Sequence, residues 1–364
     1  DLTCKNKIIM KNLFESFAIK DLILKNKVVM APLTRSRAKL DGSPTDLMAT
    51  YYQQRASAGL IIAEATQISQ QGQGYIATPG IYNSAHVEAW QKVVDQAHAK
   101  DGLICLQLWH VGRISHTDFQ PNQAAPVAPS AIQAKSKVYN DKGFLDTSLP
   151  RALDINEIAD IVNQYTEAAK NAKQAGFDMI EIHAANGYLI DQFLRDRTNK
   201  RSDAYGGSIE NRSRFLLEII DQVTEIYPAA RVGCRIAPVS TFNDIADSNP
   251  QELFTYVAKE LGKRSIGYLH VIEGDTGGDR NNQAFDYLNL YQVFKEAGGL
   301  ASMANNGYTK ELAEAAQEEI DLICFGRPFI SNPDLVEKLK HDLPLTPGDE
   351  NTFYGGGEQG YTDY

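Results

Sequence analysis

Between positions 183 and 188 the chain groups His183, Asn186 and Tyr188 as His-x-x-Asn-x-Tyr. A histidine and an asparagine can both donate hydrogen bonds to one substrate oxygen. Two donors on a carbonyl or nitro oxygen draw electrons from a conjugated alkene and prepare its β-carbon for hydride. A tyrosine, with an ordinary pKa near ~10, can then deliver the proton at the α-carbon. A lone histidine in a strand is more commonly a satisfied structural residue. His270 lacks comparable neighbours and reads as interior packing.

Other chemistry-bearing residues end short apolar runs: Pro32-Leu33-Thr34, Ala65-Thr66, Gln107-Leu108-Trp109-His110, Arg235, Asn305-Asn306-Gly307 and Gly326-Arg327. They form an inventory of cations, amides, hydroxyls and aromatic rings without a carboxylate cluster; Glu64 and Glu181 lie inside strand-like runs. Such a set suits a planar, polar, anionic cofactor. An isoalloxazine ring needs donors and acceptors along its pyrimidine edge, and a phosphate needs backbone N–H groups and a cation. Arg235 would oppose charge developing on the ring, and Gln107 would hydrogen-bond it. The Thr34 hydroxyl reaches either a ring carbonyl or its own backbone. Trp109 packs under the site or belongs to the core. Asn306-Gly307 and Gly326-Arg327 precede helical stretches, as in barrel phosphate sites, although glycines there also punctuate turns.

Several function classes are disfavoured. Strand one ends in Pro-Leu-Thr with no His-x-His, and no ligand cluster converges for a divalent metal. No strand ends in a lysine suited to a Schiff base. A metal-dependent hydrolase or lyase on the same scaffold, or a non-catalytic flavin binder, are the competing readings. The net charge of −10 argues against nucleic-acid or anionic-membrane partners. No run approaches ~18 apolar residues, and Ile8-Ile9-Met10 is too short for a signal peptide. Cys4, Cys105, Cys234 and Cys324 show no CxxC spacing, so reduced cysteines and a cytoplasmic protein are expected.

The elements that must position these residues are eight apolar runs: Val28–Thr34, Leu60–Thr66, Ile104–His110, Met179–Ala185, Val232–Pro238, Ile266–Gly274, Leu300–Gly307 and Leu322–Pro328. Each begins apolar and ends polar or small, as buried parallel strands do when function sits at their C-terminal ends. Helical signals lie between them. Asp154 with Glu157 makes a capping box, Ser208 and Thr309 can cap, and Asn249-Pro250 and Asn332-Pro333 read as cap plus first-turn proline. This alternation predicts an α/β fold, a (β/α)8 TIM barrel, and no G-x-G-x-x-G supports a dinucleotide fold. Residues 14–27 read as a hairpin before strand one. Residues 111–153, with a turn at Asn140–Gly143, are too long for a connector and predict a structured lid after strand three. Residues 1–364 are expected to form one domain.

At this level of detail the sequence resembles the old yellow enzyme family. The segments are VVMAPLTRSRA at 28–38, LIIAEATQIS at 60–69, QLWHVGR at 107–113, IEIHAANGYLIDQFL at 180–194, RSDAYGGSIENRSRF at 201–215, GRPFISNPDLVEKL at 326–339 and YGGGEQGYTDY at 354–364. They are similar to the bacterial branch that includes N-ethylmaleimide reductase and pentaerythritol tetranitrate reductase. The resemblance implies FMN held by Pro32, Leu33, Thr34, Ala65, Gln107, Arg235, Asn306, Gly307, Gly326 and Arg327. It implies a substrate oxygen on His183 and Asn186, Tyr188 as proton donor, and Tyr75 and Tyr354 lining the substrate pocket, where Trp109 and Thr276 are also expected. It also implies NADPH or NADH entering the same pocket in a ping-pong cycle with small electrophilic alkenes, and nitro or nitrate ester reduction as a further activity. A monomer or a homodimer is compatible.

Two departures stand out. Gly274-Asp275-Thr276-Gly277-Gly278 lacks the tryptophan common in that branch, which would open the pocket. Asn305-Asn306-Gly307 replaces small residues, so those side chains must turn away from the phosphate.

Overall fold

The computed structural model describes residues 12–364; Cys4 and Ile8-Ile9-Met10 fall outside them. Eight parallel strands close into a barrel in chain order: Val28–Met30, Leu60–Gln67, Ile104–Trp109, Met179–His183, Val232–Ile236, Tyr268–Ile272, Ala301–Asn305 and Leu322–Phe325. All eight expected runs contain a strand, mostly shorter than the apolar stretch. The remainder of each run is the loop at the C-terminal rim, so the site residues sit on loops anchored by strands. Closure pairs Ile323 with Val28, and a register shift interrupts the second strand between Ala63 and Thr66.

Strand alternation turns every second residue inward, and these inward side chains stack as two interior layers. The lower one is apolar: Val29, Leu60, Ile62, Cys105, Met179, Met303 and Cys324 pack with Ile19, Leu22 and Leu24 of the N-terminal hairpin. Tyr268 crosses this interior because position 233 is glycine; a Cβ there would lie 2.1 Å from the tyrosine ring. The upper interior is polar and holds Gln107, Glu181, Arg235 and His270, all buried.

Helices cover the outside for the reasons their sequences give. Ile155–Ala175 buries Ile158, Ile161, Val162, Tyr165 and Ala172 on one face, and Glu157 accepts the Asp154 N–H at 2.7 Å. Ser208, Asn249 and Thr309 each accept an N–H of the first turn of their helices, contacts worth about 1 kcal/mol each. The expectation at Asn332-Pro333 fails. A short helix, Arg327–Ser331, begins directly at the strand end, and Asn332 closes it instead of opening the next. Its side chain is committed elsewhere, donating to Pro328 and Thr346 carbonyls and accepting the Thr346 N–H.

Residues 111–153 are structured. Val127–Ala128 pairs with Arg151–Ala152, and Lys137–Asn140 forms a hairpin with Gly143–Asp146 around the expected turn. The Ile76 N–H bonds the Tyr139 carbonyl at 2.8 Å, tying that hairpin to the loop carrying Tyr75. At the other end of the chain, Arg35 and Arg37, just past Thr34, donate to the carbonyls of Thr352, Phe353 and Gly360. This pins the glycine-rich tail beside the rim. Among the described residues no helix is long and apolar enough to cross a membrane.

Candidate active site

A cavity of about 1020 Å³ opens at the C-terminal rim. Pro32, Leu33, Thr34, Ala65, Gln107, Arg235, Asn306, Gly307, Gly326 and Arg327 line it, as do His183, Asn186, Tyr188, Tyr75, Trp109, Thr276 and Tyr354. The cofactor- and substrate-site residues expected from the sequence therefore meet in one place, while Thr66, Leu108 and His110, which end the same runs, stay outside the lining. The cavity also takes Tyr139 and Phe144 from the 111–153 segment and Phe242 from the loop after strand five.

His183 is deeply buried. Its Nδ1 accepts the Ala185 N–H at 3.2 Å, so the ring proton sits on Nε2, which has no protein partner among the described residues. Burial, reinforced by the Arg235 charge, pushes its pKa down to about 3, so the ring is a neutral donor. Asn186 adopts φ +60°, a left-handed turn that asparagine tolerates, followed by Gly187 at +77°. Its Oδ1 accepts from Thr276 Oγ1 at 2.6 Å, and its carbonyl accepts from Asn243 Nδ2 at 2.9 Å.

Tyr188 projects its hydroxyl to within 2.9 Å of the Tyr75 hydroxyl. Burial first, and then the neighbouring Tyr75, raises its pKa well above the usual phenol value. Trp109 is both things the sequence allowed: it is buried in an apolar cluster and it lines the cavity. It stacks on His183 with ring centroids 5.8 Å apart and meets Tyr188 edge-on at 4.7 Å, locking both rings.

On the opposite flank Gln107 Nε2 donates to Glu181 Oε1 at 2.7 Å. The Gln107 carbonyl oxygen is thus left for the cavity. Glu181 also accepts from Tyr268 at 2.7 Å and His270 Nδ1 at 2.9 Å. Burial would raise the Glu181 carboxyl, but His270, Arg235 and its hydrogen bonds hold it below the ordinary value, so it is ionised. Reading His270 as inert packing missed this. Glu181 and His183 alternate onto the same side of one strand, and that period of two was the signal available. Arg235 donates to Asn305 Oδ1 at 2.7 Å and keeps a buried Nε without a partner. Asn306 turns its amide away, donating to the Glu273 and Asp275 carbonyls, as anticipated.

These features fit a planar anionic cofactor. Arg235, with its orphaned Nε, and Gln107, whose side-chain oxygen has no protein partner among the described residues, both line the cavity. Asn306 and Gly307 turn through φ +100° and +66° at the strand-seven end, while Arg327 lies exposed at the rim without a side-chain partner among the described residues. The Thr34 hydroxyl likewise makes no protein hydrogen bond among the described residues and is half-buried in the lining. No group of three or more metal-ligating side chains occurs among the described residues.

Comparison with known proteins agrees with this geometry. Residues 12–346 match the FMN oxidoreductase family described as NADH:flavin oxidoreductase / NADH oxidase. A putative 12-oxophytodienoate reductase from Oryza sativa subsp. japonica is 44% identical over 346 residues, 94% of each chain. Morphinone reductase in complex with tetrahydroNAD superposes with a TM-score of 0.91 at 44% identity, over 97% of both chains. The old yellow enzyme homologue from Zymomonas mobilis gives 0.92 at 41% identity, over 97% of this chain and 99% of that one. These relatives do not single out the bacterial N-ethylmaleimide reductase branch. The chain belongs to the NADH:flavin oxidoreductase / NADH oxidase family, that of the old yellow enzyme homologues, and is an FMN-dependent oxidoreductase with a TIM-barrel fold.

Proposed function

We propose that this oxidoreductase is an ene-reductase. It takes hydride from NADPH or NADH and reduces the C=C bond of α,β-unsaturated carbonyl, maleimide or nitro compounds, with nitro and nitrate ester compounds as further substrates. The observation that carries this reading is the convergence of a neutral His183, the Asn186 amide and a protonated Tyr188 on one cavity.

FMN, when bound, supplies the hydride acceptor and donor. Arg235, Gln107 and Thr34 would hold its ring with Pro32, Leu33 and Ala65, and Asn306, Gly307, Gly326 and Arg327 its phosphate. His183 Nε2–H and Asn186 Nδ2–H bind the substrate oxygen and stabilise the negative charge it gains as the β-carbon is reduced. Tyr188 holds its proton on Oη until the α-carbon becomes basic enough to take it. The aromatic wall of Trp109, Tyr75 and Tyr354 excludes water, and residues 111–153 act as the lid, since Tyr139 and Phe144 line the mouth.

The purified protein is expected to be yellow and to oxidise NADPH or NADH when supplied with 2-cyclohexenone or N-ethylmaleimide. A yellow protein that consumes nicotinamide but leaves every such alkene intact would refute the ene-reductase reading while leaving the flavoenzyme assignment standing.

A further inference from the structure

Three loops meet beside Asn186. Ser240, after strand five, and Thr276, after strand six, bring their hydroxyls to 2.8 Å, and Thr276 Oγ1 lies 2.6 Å from Asn186 Oδ1. The direction of this chain of hydroxyls can be derived. Ser240 Oγ accepts two backbone N–H groups, from Thr276 at 3.1 Å and Phe242 at 3.3 Å, which occupies both lone pairs. Its single proton therefore goes to Thr276 Oγ1. The Thr276 proton in turn goes to Asn186 Oδ1.

We infer that the Ser240–Thr276 hydroxyl chain is a positioning device. It fixes the Asn186 amide with its NH2 group toward the cavity and so commits the site to substrates that present an oxygen acceptor. The inference rests on the proposed role of Asn186 in holding the substrate oxygen. An isolated asparagine can rotate its amide and offer an acceptor as readily as a donor. Here rotation would set Nδ2–H against Thr276, whose proton could then no longer be donated to an oxygen.

The framework under Thr276 is rigid. Thr241 donates twice to Asp275 Oδ1, at 2.9 and 3.1 Å, and Asn306 Nδ2 donates to the Asp275 carbonyl at 2.8 Å. Asn186 itself is anchored through its carbonyl by Asn243. The Nδ2 group has no protein partner among the described residues, and the residue lines the cavity, so the donor is available. With His183 locked as an Nε2–H donor by Ala185, both oxygen-binding groups are donors. Ketones and nitro compounds then satisfy the pair, whereas an alcohol leaves its own proton without an acceptor. Thr276 acts through Asn186 and is not a catalytic residue.

The test uses FMN-loaded enzyme and the unreactive ketone cyclohexanone, with cyclohexanol as the donor-bearing probe; binding is read from the shift of the flavin absorption band. Thr276→Val, close in shape, is expected to weaken cyclohexanone roughly tenfold and cyclohexanol much less, about 1.4 kcal/mol of lost discrimination. Thr276→Ser keeps the hydroxyl and is expected to restore the wild-type ratio. Ser240→Ala is expected to cost the ketone roughly two- to threefold, because Thr276 retains its own proton. In an Asn186→Ala background, Thr276→Val should have no further effect.

Unchanged ketone affinity in Thr276→Val, equal behaviour of the Val and Ser variants, or full additivity with Asn186→Ala would each overturn the inference. If the wild-type enzyme neither binds cyclohexanone nor reduces 2-cyclohexenone, the ene-reductase reading falls and this inference with it. A wild-type enzyme that does both, beside an unaffected Thr276→Val, overturns the inference alone.

Discussion

The hydroxyls of Tyr75 and Tyr188 lie 2.9 Å apart although 113 positions separate them in sequence. Burial holds both phenols protonated, so one donates to the other and the second proton remains available to the cavity. Removing each hydroxyl should have unequal effects. Tyr188→Phe is expected to slow alkene reduction by about 10²–10⁴, while the rate at which nicotinamide reduces the flavin stays within about threefold. Tyr75→Phe should slow alkene reduction only a few-fold, since it removes a partner and leaves the acid. Separate stopped-flow measurement of the two half-reactions decides; equal slowing of both by Tyr188→Phe would reject its role as the acid.

Arg327 is an exposed cation at the end of strand eight, beside Gly326 and across from Gly277, where a Cβ would lie 3.6 Å from its Nη2. A charge-assisted hydrogen bond to phosphate contributes about 1.5–3 kcal/mol. Arg327→Ala is therefore expected to weaken FMN by roughly 10- to 100-fold and riboflavin, which lacks the phosphate, hardly at all. Fluorescence titration of apoprotein with both flavins measures this directly. Equal weakening of the two would show that Arg327 shapes the ring site and not the phosphate site.

Glu181 is a buried carboxylate that reaches the cavity only through Gln107. Replacing it with glutamine removes one negative charge near the ring site and leaves Arg235 and the side-chain shape in place. The flavin should then accept electrons more readily. A rise in midpoint potential on the order of 30 mV is expected, equivalent to about 1.4 kcal/mol for a two-electron couple. A potentiometric dye titration of Glu181→Gln beside the wild type supplies the readout, and a fall in potential contradicts the assignment.

The sequence made the strands legible because parallel strands buried on both faces read as unbroken apolar runs, and the rim residues terminate them. His183, Asn186 and Tyr188 were visible together because one strand and one turn carry them. What stayed hidden depends on neighbours brought together by barrel closure. The Glu181–His270 contact spans 89 positions and the Thr276–Asn186 contact spans 90. No local pattern encodes such pairs; they require the strand register. Thr276 was read as the place where a missing tryptophan opens the pocket, and it does line the cavity. Its hydroxyl also organises Asn186, which composition at one position could not reveal. Asn332-Pro333 misled for a local reason: its amide was already taken by the chain at Thr346.

Neither group proposed to hold the substrate oxygen titrates near neutral pH. His183 is neutral down to about 3, and an amide does not ionise. The dissociation constant for cyclohexanone is thus expected to vary by less than about twofold between pH 5 and 8. A free histidine would put an inflection near ~6.5 in that profile. An inflection of that kind, absent from a His183→Asn variant, would show that the ring is charged in the working enzyme.

His110 provides a stability prediction of the same origin. Its Nδ1 accepts the Gly112 N–H at 3.0 Å, so the neutral ring donates from Nε2 to Gln71 Oε1 at 3.1 Å. Burial pushes its pKa down to about 3. The unfolded chain, with an ordinary value near ~6.5, takes up a proton first as pH falls. The contribution of the neutral ring is therefore complete above pH ~6.5 and is lost progressively toward pH 3. Glu64, raised by burial to about 7, runs the opposite way, since its native carboxyl binds a proton before the unfolded one does. The two effects overlap in the wild type, so the comparison with a variant isolates the histidine. The stability advantage of wild type over His110→Gln is expected to shrink by about 2 kcal/mol between pH 7 and pH 5, from ~1.4 kcal/mol per unit over the 1.5 units below ~6.5. Urea unfolding of both proteins at the two pH values measures it, and a gap that is constant or widens in acid would mean that the buried ring is already protonated in the native state.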